Sequence, residues 1–378
     1  MGFGAKPQQK DNKMRVLQIG MTRNVGGLET YLMSQYRKLK KVSYDFMNIT
    51  GEYGIVFADE ITRRGGKIFA VPSRHLSPIS HYLGWIKFFV GHAKDYDAIV
   101  LNSNNLLYVF PLFAARFFGI KTRVFHSHNA GMDANLSFVK KCVLNFNKFL
   151  LKISATDLFA CSELAGKVTF GDKDFKVIRN AIDIAKFKFN ETYRSEIRNE
   201  LGLKDEFVLG HAGRFTYQKN HEFLIEVFAK VKEKEPSAKL LLAGDAVEDM
   251  SFLENAKRQV EDLGLTDSVY FLGMRNDAHK LFSAMDVFLL PSRYEGLGIV
   301  GIEAQAAGAP SFFSDALPKD LDITPLANFL PLDNAKIWAE EILKVKNKER
   351  KDYSELIAKA GYSVEDEAGK VEKFFLNA

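Results

Sequence analysis

The run Tyr294-Glu295-Gly296-Leu297-Gly298-Ile299-Val300-Gly301-Ile302-Glu303-Ala304 places two carboxylates either side of a glycine pair, just after an apolar stretch ending in Leu290-Pro291-Ser292. An apolar run, then glycines, then a helical period reads as strand, tight loop and helix start. Gly296 and Gly298 let backbone approach a ligand closely. The open N–H groups of a helix start, reached through Leu297 and Gly298, favour an anion such as a diphosphate. Glu295 falls in the loop and Glu303 in the second helical turn, where a carboxylate can accept bonds from sugar hydroxyls. Two solvent-facing glutamates would give the same spacing. The strand before them and the glycines between them tip the reading towards a site.

Gly210-His211-Ala212-Gly213-Arg214-Phe215-Thr216-Tyr217-Gln218-Lys219-Asn220 also follows a strand and opens a helix. Arg214 offers a planar fork and Lys219 a point charge, and both suit phosphate oxygens. Their spacing lets them converge on one anion, though two surface cations would look alike. Met21-Thr22-Arg23-Asn24-Val25-Gly26-Gly27-Leu28-Glu29 follows the first strand. Gly26 and Gly27 at a helix start admit a ligand against the backbone, or form a tight turn. The run matches neither the dinucleotide fingerprint nor a P-loop. His126-Ser127-His128-Asn129 again lies just past a strand, which favours a site role for His126 or His128 over a plain core histidine. No further ligands cluster with them, so no metal site is expected. Asp95-Tyr96-Asp97 and Asp172-Lys173-Asp174 match a D-x-D pattern but precede strands or sit in turns, and read as solvated turn residues.

These loops need elements to hold them. Strands are expected at Arg15–Gly20, Tyr44–Ile49, Lys67–Val71, Ala98–Asn102, Thr122–His126 and Asp157–Cys161, with helices such as Leu28–Leu39 and Leu136–Lys152 between. A second series follows at Phe207–Ala212, Lys239–Ala243, Val269–Leu272, Val287–Leu290 and Pro310–Phe313. Its helices are Glu222–Lys234, Phe252–Leu263, Ala278–Met285 and Ile299–Ala307. The alternation implies an α/β fold, with two doubly wound parallel-sheet domains. Ligands bind at the carboxyl ends of such strands, so two domains would face a central cleft. The less regular stretch 180–204 is the expected linker.

Length and composition agree with two globular domains: 378 residues, 47% hydrophobic and 26% charged. The net charge of +5 hides an asymmetry. Residues 1–180 carry 26 Lys and Arg against 13 Asp and Glu, or +13; the remainder carries 26 against 34, or −8. A basic first half suits an anionic partner such as lipid or a phosphorylated substrate. The segment Lys140 to Lys152 mixes cations with Phe and Leu as interfacial helices do, and a core helix with a basic face fits equally. No recognised nucleic-acid motif supports nucleic-acid binding. Phe88-Phe89 and Phe117-Phe118 are expected in the core. Cys142 and Cys161 read as reduced thiols. No apolar run is long enough for a transmembrane helix. Residues 1–13 read as a disordered tail without a signal peptide. A cytoplasmic protein is expected, peripheral at the inner face of the plasma membrane if the basic half docks there.

Taken together these residues resemble the retaining glycosyltransferases of family 4, over nearly the whole chain from Met14. The family's glutamate pair resembles Glu295 and Glu303, its diphosphate clamp Arg214 and Lys219, and its first glycine loop Gly26-Gly27. Its N-domain histidine resembles His126, with His128 as second choice. The interdomain N-G-V-D is similar to Asn180-Ala181-Ile182-Asp183, with Ala181 for the glycine. The resemblance implies a GT-B fold. The N-terminal acceptor domain would span residues 14–184 and the C-terminal nucleotide-sugar domain 185–362, with a last helix, 363–378, crossing back. Ser314-Asp315 and Leu317-Pro318-Lys319 are similar to members that build capsular or exopolysaccharide repeat units. The implied activity moves a hexosyl or N-acetylhexosaminyl group from a nucleotide diphosphate sugar, uridine by resemblance, to a glycan or lipid-linked acceptor. No metal is implied, because the cations replace it. A nucleotide-sugar 2-epimerase of the same fold and a non-catalytic nucleotide-sugar binder are the competing readings.

Overall fold

The computed structural model describes residues 13–23, 26–51, 54–128, 137–246 and 249–378. The calls on residues 1–12 and on Asn24, Val25 and Asn129 lie outside these. The chain divides into two compact units: unit 1 is Met1–Arg179 with Glu365–Ala378, and unit 2 is Asn180–Val364. Unit 1 thus ends ahead of the expected 184.

In unit 1 the strands are β1 (Met14–Ile19), β2 (Val42–Asn48), β3 (Ile68–Ala70), β4 (Ala98–Ser103), β5 (Thr122–Ser127), β6 (Asp157–Ala160) and β7 (Lys176–Val177). They form one sheet in the order β3-β2-β1-β4-β5-β6-β7, paired in parallel. Between them run α1 (Gly27–Lys38), α2 (Ala58–Arg63), α3 (Pro78–His92), α4 (Phe110–Phe117), α5 (Phe138–Ser154) and α6 (Glu163–Phe170). The period of two along each strand sends alternate side chains to opposite faces. Leu17, Ile99 and Phe125 pack with α3, α4, α5 and α6. Val16, Val100 and Val124 pack with α1 and α2 on the other side. Continuous apolar strands are what a sheet covered on both faces requires.

Unit 2 opens with α7 (Ile184–Phe187) and α8 (Glu191–Glu200), so the stretch expected as an irregular linker is largely helical. Asn190 caps α8 by accepting from the Tyr193 N–H. The strands are β8 (Val208–Ala212), β9 (Lys239–Ala243), β10 (Val269–Gly273), β11 (Val287–Leu290), β12 (Ser311–Ser314) and β13 (Ala327–Leu330), in the order β10-β9-β8-β11-β12-β13. The helices are α9 (His221–Lys234), α10 (Ser251–Asp262), α11 (Ala278–Ala284), α12 (Ile299–Ala306), α13 (Ala335–Lys344) and α14 (Ser354–Lys359). Strands β7 and β13 were not anticipated; β7 has only two residues and β13 only four. In each sheet the order reverses beside the first strand of the unit. That reversal places open loops at the carboxyl ends of β1 and β4 in unit 1 and of β8 and β11 in unit 2.

The last helix, α15 (Val364–Leu376), packs in unit 1. Val371 and Phe375 enter its core, and the Phe374 ring meets Phe159 edge-on at 4.9 Å. Glu372 Oε1 accepts from the backbone N–H groups of Lys40 and Val42 at 2.7 and 3.2 Å.

The D-x-D decoys are structural or turn residues. Asp97 accepts from the Arg15 N–H at 2.8 Å, and Asp172 and Asp174 lie in the turn before β7. Phe88 and Phe89 are buried as expected, but Phe117 is 73% exposed, because it lies on the outer face of α4.

Candidate active site

In unit 2, the loop leaving β8 is pressed against the loop leaving β9. The Gly213 N–H donates to the Ala243 carbonyl at 2.9 Å and that of Phe215 to the Asp245 carbonyl at 3.1 Å. Gly244 has φ +140°, and a Cβ there would stand 2.0 Å from the Gly213 oxygen. A Cβ on Gly213 would meet His211 Nε2 at 2.9 Å and Lys219 Cε at 3.1 Å. Both positions therefore need glycine. The lysine stem lies over Gly213, and a 3₁₀ turn at Tyr217–Lys219 directs it. Arg214, at the start of the same loop, is exposed.

The loop leaving β11 is fastened to this turn. The Arg293 N–H donates to the Gln218 carbonyl at 2.8 Å, and its guanidinium donates to the Tyr217 carbonyl at 2.6 Å while lying over the Tyr217 ring. Gln218 Nε2 donates to the Tyr294 carbonyl and to Glu295 Oε2, each at 3.0 Å. Lys219 Nζ donates to Glu295 Oε1 at 2.7 Å. The expected clamp thus takes a different form here: Lys219 is paired with Glu295, and only Arg214 is turned outward.

Gly298 (φ +77°) turns the chain into α12, packed between Leu290 and Leu321, and Leu297 is buried beside it; Gly296 is half-buried in the same loop. One helical turn on, Glu303 is only 9% exposed. Burial pushes its carboxyl up to about 8, against the opposing pull of Lys186 and Lys219. Beneath the loops lie two histidines that sequence reasoning passed over. His211 donates from Nδ1 to the Leu289 carbonyl at 2.8 Å, which leaves Nε2 as a buried acceptor without a partner. His221 stacks on Phe215 at 3.9 Å, and neither ring nitrogen has a partner. Burial, and then neighbouring positive charge, hold both neutral, His211 down to about 3.

In unit 1, Gly26 precedes α1 and Gly27 opens it. A Cβ on Gly26 would stand 2.8 Å from Glu29 Oε2, whereas one on Gly27 would meet nothing within 4 Å. Glu29 ties the loop by accepting from the Thr22 N–H and hydroxyl at 3.1 and 2.7 Å. His126 shares with Val124 the face of β5 that packs towards α1. It is 2% exposed, enclosed by Tyr31, Phe159 and His128, with Nε2 unpartnered. Burial holds it neutral, well below the usual histidine range. His128, just past the strand, is half-buried. Its Nε2 stands 3.0 Å from Asn102 Oδ1, and Asn102 donates in turn to Gln18 and the Ile19 carbonyl. Among the described residues no group of three or more His, Cys, Asp or Glu gathers as a metal site.

Residues 193–362 match the family described as "Glycosyl transferases group 1", a span that holds Arg214, Lys219, Glu295 and Glu303. EpsF of Bacillus subtilis (strain 168), assigned as a glycosyltransferase, is 31% identical over 374 residues, covering 95% of each chain. The chain belongs to the group 1 glycosyltransferases. A UDP-Gal:α-D-GlcNAc-diphosphoundecaprenol α-1,3-galactosyltransferase of Escherichia coli is 24% identical over 80% of each chain. HepE of Anabaena, solved in complex with UDP, superposes with a TM-score of 0.78 at 21% identity, over 97% of this chain and 100% of that one. That likeness establishes the GT-B fold.

In unit 2 of the glycosyltransferase Lys219 and Glu295 are therefore in contact, with Glu303 within reach of the Lys219 charge and Arg214 exposed on the loop that carries Lys219, while Gly26, Gly27, His126 and His128 lie in unit 1. Arg293, Gln218 and Gly244 were missed. Arg293 lies one residue before a motif that was read, and Gly244 follows a strand in Ala243-Gly244-Asp245, a signal that could have found it. The buried histidines carried no local signal, since only packing makes them unusual.

Proposed function

We propose that this glycosyltransferase moves a sugar from a UDP-sugar to a glycan or lipid-linked acceptor, with retention and without a metal ion, in polysaccharide synthesis. The carrying observation is the Lys219–Glu295 pair beside the buried Glu303, on loops at the carboxyl ends of β8 and β11. The names of the relatives support the substrates: the Escherichia coli relative takes UDP-Gal and a diphosphoundecaprenol acceptor, and HepE was solved with UDP.

Glu303 would accept from the ribose hydroxyls of the donor, and Glu295 would contact the donor sugar. Lys219 would exchange its bond to Glu295 for one to the diphosphate, which frees the carboxylate for the sugar. Arg214 would add the second positive charge, and Gly296 and Gly298 would admit the phosphates to the start of α12. The bond from the anomeric carbon to the diphosphate oxygen breaks, and the acceptor hydroxyl bonds to that carbon on the same face. Its proton leaves on a diphosphate oxygen. The cations stabilise the charge that develops on the leaving group. With Glu303 committed to the nucleotide, a two-carboxylate nucleophilic route has little support. Of the two unit 1 histidines, His128 has the exposure to serve sugar hydroxyls. His126 is the positioning residue beneath it.

The experiment mixes the protein with UDP-, GDP- and ADP-sugars in EDTA and follows release of nucleoside diphosphate. Slow release from a UDP-sugar, raised by a lipid-linked acceptor, is expected. Release only with added divalent metal would overturn the metal-free step. An epimer formed without acceptor would point to an epimerase, and binding without turnover to a binder.

A further inference from the structure

The helices α3, α4 and α5 cover one face of the unit 1 sheet, with α4 packed between the other two. Each turns large apolar side chains outward. On α3, Trp85, Phe88 and Phe89 are buried, while Ile79, Leu83, Ile86 and Val90 are exposed on the opposite side. Their spacing of four, three and four residues makes one stripe. On α5, Asn147, Leu151 and Ser154 face the core, and Phe138, Phe146 and Phe149 are exposed, with Cys142 in line between them. Phe117 is exposed on α4. Outward apolar rows on α3 and α5, with Phe117 exposed on the helix between them, are more than the scattered exposed residues of an ordinary surface.

The charge around them has one sign. None of the three helices contains an Asp or Glu, and between Asp97 and Asp157 the chain has a single carboxylate, Asp133. Lys141, Lys148 and Lys152 share one side of the α5 stripe, and Lys87 lies beside that of α3. No helix among the described residues is long and apolar enough to cross a membrane. Exposed Phe, Leu and Ile rows on helices whose own charged side chains are all cations match the requirements of an interfacial helix. We propose that the outer face of α3, α4 and α5 docks on an anionic lipid bilayer, with the apolar rows in the headgroup boundary and the lysines on the lipid phosphates. Helices α3 and α5 begin at the carboxyl end of the sheet, so docking would hold that end of unit 1 at the membrane. The inference stands apart from the donor reading, which concerns unit 2.

The test uses the full chain and vesicles of phosphatidylcholine with and without phosphatidylglycerol. A polarity-sensitive thiol probe on Cys142 reports on the α5 stripe, since Cys161 is buried. Flotation with the anionic vesicles only, with a blue shift of the probe, is expected. Replacing both Lys141 and Lys148 by Ala should weaken partitioning on the order of 25-fold at low salt, about fivefold per lysine. Leu83→Glu with Phe146→Glu should abolish it. All four side chains are exposed, and an unchanged Tm verifies folding without reference to any donor. Three results would overturn the proposal: no flotation, flotation indifferent to anionic lipid, or a dimer in sedimentation velocity that Phe146→Glu dissolves.

Discussion

Lys219 Nζ and Glu295 Oε1 meet at 2.7 Å between two loops of unit 2, with both side chains largely withdrawn from solvent at 15% and 8% exposure. A pair so placed is costly to halve, because the remaining group keeps its charge without its partner. Lys219→Ala should cost about 1–3 kcal/mol of stability and lower kcat/KM on the order of tenfold to 150-fold. Adding Glu295→Gln should restore much of the stability and none of the activity. Denaturant midpoints and UDP release measure the two separately. Full activity in Lys219→Ala would remove the lysine from the diphosphate site.

Glu303 has the opposite linkage from most carboxylates. Its folded pKa, about 8, lies above the unfolded value of about 4.5, so the folded state keeps a proton that the unfolded state has lost. Stability from this group is whole below pH ~4.5 and declines as pH rises to ~8. Glu303→Gln should flatten that decline, with a gain on the order of a few kcal/mol at pH ~8.5 and none at pH ~4. Tm against pH for the two proteins checks it. Donor affinity should fall in the variant above pH ~8, where the native side chain is ionised, since an amide accepts ribose hydroxyls less well than a carboxylate.

The adjacent glycines of unit 1 separate packing from function. Gly26→Ala places a methyl against the Glu29 carboxylate and should loosen its bonds to Thr22. Gly27→Ala meets open space, and should hold or raise Tm, since Ala favours a helix over Gly by up to about 1 kcal/mol. A drop in transfer with Tm intact would mean that a ligand uses the space above Gly27. Unchanged transfer would take Gly27 out of the site.

His126 and His128 should part in the same assay. His126→Ala empties a buried position and should cost about 2–4 kcal/mol. His128→Ala gives up the bond to Asn102, about 0.5–1.5 kcal/mol, and should lower kcat while the protein stays folded. If His128→Ala keeps its full kcat, neither its exposure nor its place past β5 marks a site residue.

Acid should destabilise both units through histidines that packing keeps neutral: His126 in unit 1, and His211 and His221 in unit 2. Their folded pKa values lie below the unfolded value of about 6.5. Their contribution is whole above that pH, and is lost as pH falls towards the folded values, at roughly 1.4 kcal/mol per pH unit for each histidine. His211→Phe should make the acid slope of unit 2 shallower. An unchanged slope would mean that the ring takes up a proton without leaving its place.

Much of this enzyme is written in local pattern. Apolar runs of strand length alternating with helical periods determine two parallel sheets, because backbone bonding and the period of two act over a few residues. Glycines after strands mark the loops at the sheet ends, so the loops and helix starts that carry Glu295, Glu303, Arg214, Lys219, Gly26 and Gly27 were legible before any fold was known. What the chain cannot state locally is which groups lose their water. His126 and His128 are two residues apart in one motif, yet one is sealed under Tyr31 and Phe159 and the other reaches past the strand. Phe89 and Phe117 look alike in sequence, yet one is core and the other faces out. Lys219 was legible as a cation but not as the partner of Glu295, which is 76 residues away. Desolvation and pairing depend on neighbours brought in from distant segments, and only the tertiary structure decides them.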